Sequence, residues 1–137
     1  MISPGPTGTH ERMIRFAALF VALLLAQPVL AQGLSAEAIA KQNQAIAIRV
    51  QQQLMSCWIV PPGEEDQRLA LDIAFFGDGT LDGEAMLAPE SAKAASKRGA
   101  LTDSILAAVQ RCVPFEGLEA LGAAADERFS VTIYFQS

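Results

Sequence analysis

Two cysteines, Cys57 and Cys112, are the only ones in the chain, and each ends a segment with helical apolar spacing. From Leu34 to Cys57 there is no Gly or Pro, and Ile39, Ile46, Val50, Leu54 and Cys57 recur at spacings of 7, 4, 4 and 3. That periodicity predicts an amphipathic helix. Gln42, Arg49, Gln52 and Gln53 lie largely off its stripe. Ser35 is placed to cap it and Glu37 suits the positive end of its dipole. Pro61, Pro62 and Gly63 stop it near Trp58. A second helix is predicted over 100–112, where Leu101, Ile105, Val109 and Cys112 follow at spacings of 4, 4 and 3 and Pro114 marks the end.

Whether the cysteines pair depends on compartment. Met13, Ile14 and Arg15 precede an apolar run from Phe16 to Ala26, and the small residue Ala31 follows Gln27 and Pro28. A basic start, a short apolar stretch and a small-residue cleavage site describe a secretory signal peptide. The run is short for a bilayer-spanning helix, which needs about 20 apolar residues. Residues 1–31 are expected to be a signal peptide cut after Ala31, with an uncleaved anchor as the alternative. The acidic Glu11 and the Pro/Gly-rich opening suit an n-region poorly, so Met13 is a possible true start. In an exported chain an even cysteine count predicts a disulfide, against the alternative of two buried free thiols. Closing a loop of about 55 residues stabilises by roughly 4 kcal/mol in the chain-entropy picture.

Between the two helices, residues 68–76 alternate: Leu69, Leu71, Ile73 and Phe75 on one face, Ala70, Asp72, Ala74 and Phe76 on the other. Gly77, Asp78 and Gly79 give a hairpin signal. Thr80 to Ala88 is expected to return as a second strand, with Gly83 marking a bulge or a close backbone approach. Residues 91–99 are expected to be a linker or an early helical turn. Residues 115–127 read as irregular, with Gly117 and Gly122 as turn points. Residues 128–135 form a third strand, with Phe129, Val131, Ile133 and Phe135 inward and Ser130, Thr132 and Tyr134 outward. The order α-β-β-α-β predicts a two-layer α+β domain over 32–137, with a three-stranded antiparallel sheet packed on two helices and one disulfide.

The composition argues against several functions. Residues 32–137 carry eight Lys and Arg against fourteen Asp and Glu, a net charge of −6. Such a chain is a poor nucleic-acid ligand and has no polybasic cluster for anionic lipid. The one histidine, His10, precedes the expected cleavage point, which leaves no Ser-His or Cys-His pair in the domain. Glu64, Glu65 and Asp66 follow a Pro-Pro-Gly run and read as a solvated loop. Asp78, Thr80, Asp82 and Gly83 imitate half of an EF-hand loop, but Pro89 stands where the closing carboxylate belongs. No enzyme, metal or cofactor is therefore expected. Trp58 is expected beside the disulfide in the core, with an exposed binding anchor as the alternative; Tyr134 is expected on the outer face of the last strand, either to meet a partner or only to decorate that face.

Three features together resemble a known family. The first helix ends in Cys57 and Trp58 with Pro61 following; the hairpin carries Asp78 and Gly79; the second helix ends in Cys112, Pro114 and Phe115 ahead of a hydrophobic closing strand. Over about residues 39–136 this is similar to the C-terminal domain of TolA, and more loosely to that of TonB, with the cysteine pair favouring the TolA branch. The resemblance implies a protein-binding module in the periplasm of a Gram-negative bacterium. It also implies a sheet with residues 68–76 in the middle and 129–135 at an edge. Partners from a Tol–Pal or TonB-type envelope system would bind by β-augmentation along Phe129, Val131, Ile133, Tyr134 and Phe135. No contact with nucleic acid, or with membrane once the leader is removed, is expected. The domain would be a monomer or a strand-exchanged dimer. The expected leader runs almost directly into the domain, without TolA's long helical stalk, which fits a free-standing adaptor. The alternative is a structural or envelope-stress protein that shares the fold without a Tol or TonB role.

Overall fold

A computed structural model describes residues 34–137. The expected signal peptide and its cleavage point lie outside the described residues. The chain divides into two units, Met1–Ala38 and Ile39–Ser137; the fold below is that of the second, with the few described residues that lead into it. Helix α1 spans Ala36–Cys57. The Ser35 hydroxyl accepts the Ala38 N–H at 3.1 Å, the capping bond its position predicted. Ile46, Val50 and Leu54 are buried, as the stripe requires, while Ile39 at its start is 44% exposed. Helix α3, Gly99–Cys112, buries Leu101, Ile105, Ala108 and Val109. The stretch read as a linker or an early turn is regular: a 3-10 turn at Pro89–Ser91 leads into a short helix α2, Ala92–Lys97. There are thus three α-helices among the described residues, not two.

Strand β1 is Arg68–Phe76 and β3 is Arg128–Gln136. They pair antiparallel in unbroken register from Arg68 opposite Gln136 to Phe76 opposite Arg128. The expected strand over 80–88 is corrected to two residues, Met86–Leu87, which form β2. The sheet order is β2-β1-β3, all antiparallel. The shortening has a local cause. Leu81 bridges Phe75 and the Asp82 N–H bonds the Ala74 carbonyl, yet Met86 already stands opposite Asp72. Gly83, Glu84 and Ala85 therefore face Ile73 alone, a bulge with two extra residues. Gly83, at φ +83°, supplies the left-handed backbone that such a bulge needs.

One face of the sheet carries the core. Leu69, Leu71, Ile73 and Phe75 of β1 and Phe129, Ile133 and Phe135 of β3 are buried against the α1 and α3 stripes. Phe75 meets Phe115 edge-on at 5.5 Å and stacks on Phe129 at 5.7 Å. Burial of these side chains supplies most of the drive to fold, at about 1.5–3 kcal/mol for each large apolar group. The Cys57–Cys112 disulfide joins the C-terminal ends of α1 and α3, with Cα atoms 5.9 Å apart. Trp58 beside it is half-buried; its ring meets Phe135 edge-on at 5.2 Å and its N–H donates to the Ser104 hydroxyl at 3.0 Å.

The segment from Val113 to Glu127 is irregular but tied down. Gln53 of α1 donates to the Glu116 carbonyl at 2.7 Å and accepts the Glu116 N–H at 2.9 Å. Arg49 adds a bond to the same carbonyl, and Gln42 donates to the Leu121 carbonyl. The hairpin tip docks against this segment through Asp78 N–H to Ala125 O and Phe115 N–H to Gly79 O. A Cβ at Gly77 or Gly79 would collide with the Ala124 or Phe115 carbonyl, so both glycines are there for close approach as well as for the turn.

Candidate functional site

The two sides of β1 are satisfied in different ways. Gly77 N–H bonds Glu127 O at one end of the β1–β3 ladder, and Ser137 N–H bonds Gln67 O at the other. With continuous register between them, the odd-numbered residues 129–135 of β3 turn their N–H and C=O toward β1. The even-numbered residues Ser130, Thr132 and Tyr134 turn theirs the opposite way, to the outer edge of the sheet. No hydrogen bond from another described residue reaches those backbone groups. The outcome is an open strand edge nine residues long.

The five residues expected to meet a partner are thereby sorted. Phe129, Ile133 and Phe135 are buried, Val131 is half-buried, and the backbone bonds of all four go to β1. Only Tyr134, 42% exposed, shows both its side chain and its backbone to the outside. Ser130 and Thr132 complete the accessible set. Strand alternation gives the outward side chains but not the outward backbone: in an antiparallel edge the two belong to the same residues only in one of two phases. That phase is set by the bond between Gly77 and Glu127, which no periodicity reveals.

On the outer face the edge is ordered by cross-strand contacts. The Thr132 hydroxyl donates to the Asp72 carboxylate at 2.6 Å. The Arg68 guanidinium lies 4.4 Å above the Tyr134 ring centre, a cation–π contact. Arg128 pairs with Asp82 across β1. A shallow depression of about 330 Å³ opens beside Tyr134, lined by Arg68, Ala70, Glu90 and Ser91. Its floor is fixed because buried Ser91 accepts the Ala70 N–H at 2.8 Å.

The EF-hand-like run is a hairpin tip. Asp82 is engaged by Arg128, and the Asp78 carboxylate accepts both the hydroxyl and the N–H of Thr80. Among the described residues no group of three or more His, Cys, Asp or Glu side chains is arranged to hold a metal ion. None of the described helices is long and apolar enough to cross a membrane.

A family model covers residues 40–137, which takes in the sheet, the disulfide and all but the first turn of α1. The chain belongs to that family, Uncharacterised conserved protein UCP034077. No curated protein and no solved structure matches it significantly. The open β3 edge lies wholly within the part of the chain that defines UCP034077 membership.

Proposed function

We propose that this chain is a non-catalytic interaction module of the periplasm, resembling the C-terminal domain of TolA, which receives an extended segment of an envelope protein as a fourth strand beside β3. The observation that carries this reading is the backbone of Ser130, Thr132 and Tyr134, unpaired by any described residue along a nine-residue edge. Main-chain hydrogen bonds along such an edge give affinity, and the alternating side chains select the partner. The strand order β2-β1-β3 is the one the TolA resemblance implies, and the disulfide suits an oxidising compartment.

The test is a titration of ¹⁵N-labelled full chain with soluble proteins of Tol–Pal and TonB-type systems, followed by amide shifts. Shifts concentrated on residues 128–136 are expected. Ser130→Pro removes one outward donor and leaves every bond to β1 in place, so it should weaken binding about tenfold or more, on the scale of one edge hydrogen bond plus strain. Binding that leaves 128–136 unshifted would exclude strand addition.

A further inference from the structure

We infer that the segment received by β3 is acidic, and that its carboxylates dock on a basic corner made by Arg68, Lys93, Lys97 and Arg98. This deepens the strand-addition reading and rests on it. The described residues hold eight Lys and Arg against fourteen Asp and Glu, yet three of the eight fall within 93–98. Elsewhere the cations are occupied. Arg49 and Arg111 donate to the carbonyls of Glu116 and Cys57, and Arg128 pairs with Asp82. Within the corner Arg98 pairs with Glu64 at 3.0 Å. Lys93 and Lys97 are exposed and form no ion pair with a described residue. Arg68 rests on the Tyr134 ring, with no carboxylate of the described residues paired to it.

Helix stability does not account for this placement. Lys97 suits the last turn of α2, but Lys93 stands in its first turn, where the helix dipole disfavours a cation. The corner lies on the β2 side of β1 and reaches Tyr134 over the outer face of the sheet, so the flank of a segment paired to β3 meets it by crossing that face. The depression beside Tyr134 is lined by Arg68 and Glu90, and an adjoining one by Glu90, Lys93, Lys97 and Arg98. Sharing Glu90, the two form one track from the outer face of β3 across β1 to α2. On a domain whose net charge is negative, an acidic segment is repelled from most of the surface and attracted here, where Arg68, Lys93, Lys97 and Arg98 outnumber the carboxylates of Glu90 and Glu64. Complementarity of this kind selects a partner and speeds its approach.

The experiment uses ¹⁵N-labelled full chain and two synthetic peptides. Each has an alternating Thr-Val core; one is flanked by glutamates and the other by glutamines. Both peptides should shift the amides of Ser130, Thr132 and Tyr134. Only the glutamate peptide should also shift residues 93–98, and at low salt it should bind about tenfold more tightly, the sum of a few exposed charge pairs. The variant K93Q/K97Q should lose that advantage and keep the edge shifts. Equal affinity for the two peptides, with edge shifts intact, overturns the acidic partner and leaves strand addition standing. Shifts at 93–98 without shifts at the edge overturn strand addition itself. No shift from either peptide at millimolar concentration overturns both. Phosphatidylglycerol vesicles that perturb 93–98 more strongly than the glutamate peptide make the corner a membrane surface and overturn the proposal.

Discussion

Along one side of the central strand, β2 offers two laddered residues, a bulge at Gly83–Ala85 and a covering turn whose Ser91 hydroxyl takes the Ala70 N–H. Along the other side, β3 runs nine residues in unbroken register and ends with its outer backbone uncovered by any described residue. Short strands, bulges and covering segments are the usual means by which a sheet blunts an edge against unwanted pairing. Here they are gathered on one side. The other edge stays long, and no described residue covers it. The pairing hazard of an open strand is accepted only at β3.

Both edges depend on the same helical layer, so the most severe way to break the comparison is to release that layer. Replacing Cys57 and Cys112 together by alanine should lower stability by about 4 kcal/mol, from the loop that the bond closes. Urea unfolding measures it. Hydrogen exchange should rise along β2 and β3 alike, since α1 and α3 support the whole inner face. A loss below about 1 kcal/mol would mean that packing alone holds the layer, as in a chain whose loop entropy is already restricted when unfolded.

A proline pair separates the two sides of β3. Val131 sends its N–H to β1, whereas Ser130 sends its N–H outward. Val131→Pro should therefore cost roughly 2 kcal/mol or more, from a broken ladder bond and an unsatisfied carbonyl on Ile73. Ser130→Pro should cost well under half of that, about 1 kcal/mol or less, because an edge strand tolerates proline where the N–H faces solvent. Thermal melts of the two variants decide it. Equal losses would mean that the outward groups of Ser130 are in fact engaged.

Much of this was legible in the residues. Period-3.6 stripes located α1 and α3 because their apolar faces are buried by the same sheet, and strict alternation located β1 and β3 to within one residue. The second strand is shorter than its pattern suggests, because Leu81, Ala85 and Leu87 alternate across residues that do not all pair. Only the pairing partner shows that Met86 has slipped two places against β1. The short helix α2 escaped because six residues hold too few turns for a periodic signal. The roles of Gln42, Arg49 and Gln53 were out of reach for a different reason: they hold the 113–127 segment across more than sixty residues of sequence. At the candidate site, the edge followed from topology, but its accessible residues followed from hydrogen-bond phase, which alternation leaves undetermined.

On the closed side, Gly83→Ala is the finer probe. A Cβ there meets no atom within 4 Å, so only the positive φ is strained. The expected cost is about 1 kcal/mol, the usual penalty for a non-glycine residue in the left-handed region. Its measure is the midpoint of chemical denaturation, with the Ser130 and Thr132 amide shifts unchanged. Movement of those shifts would show that the two edges are coupled through β1.

The smallest effect concerns the hairpin tip where β1 turns toward β2. The Thr80 hydroxyl, and then the Thr80 N–H, bond the Asp78 carboxylate and hold its pKa below the ordinary value of 3.8. A carboxyl whose pKa is lower in the folded than in the unfolded chain adds stability above its unfolded value. That contribution is lost as pH falls from about 4 through the folded value. Because the group is fully exposed, the loss should be local. Below pH 4 exchange of the Thr80 amide should quicken relative to other tip amides, while the β1–β3 amides stay protected. Asp78→Asn should abolish this pH dependence yet keep a weaker acceptor for Thr80. If the quickening persists in Asp78→Asn, another carboxylate governs the tip, and the nearest in sequence is Asp82, held by Arg128 across β1.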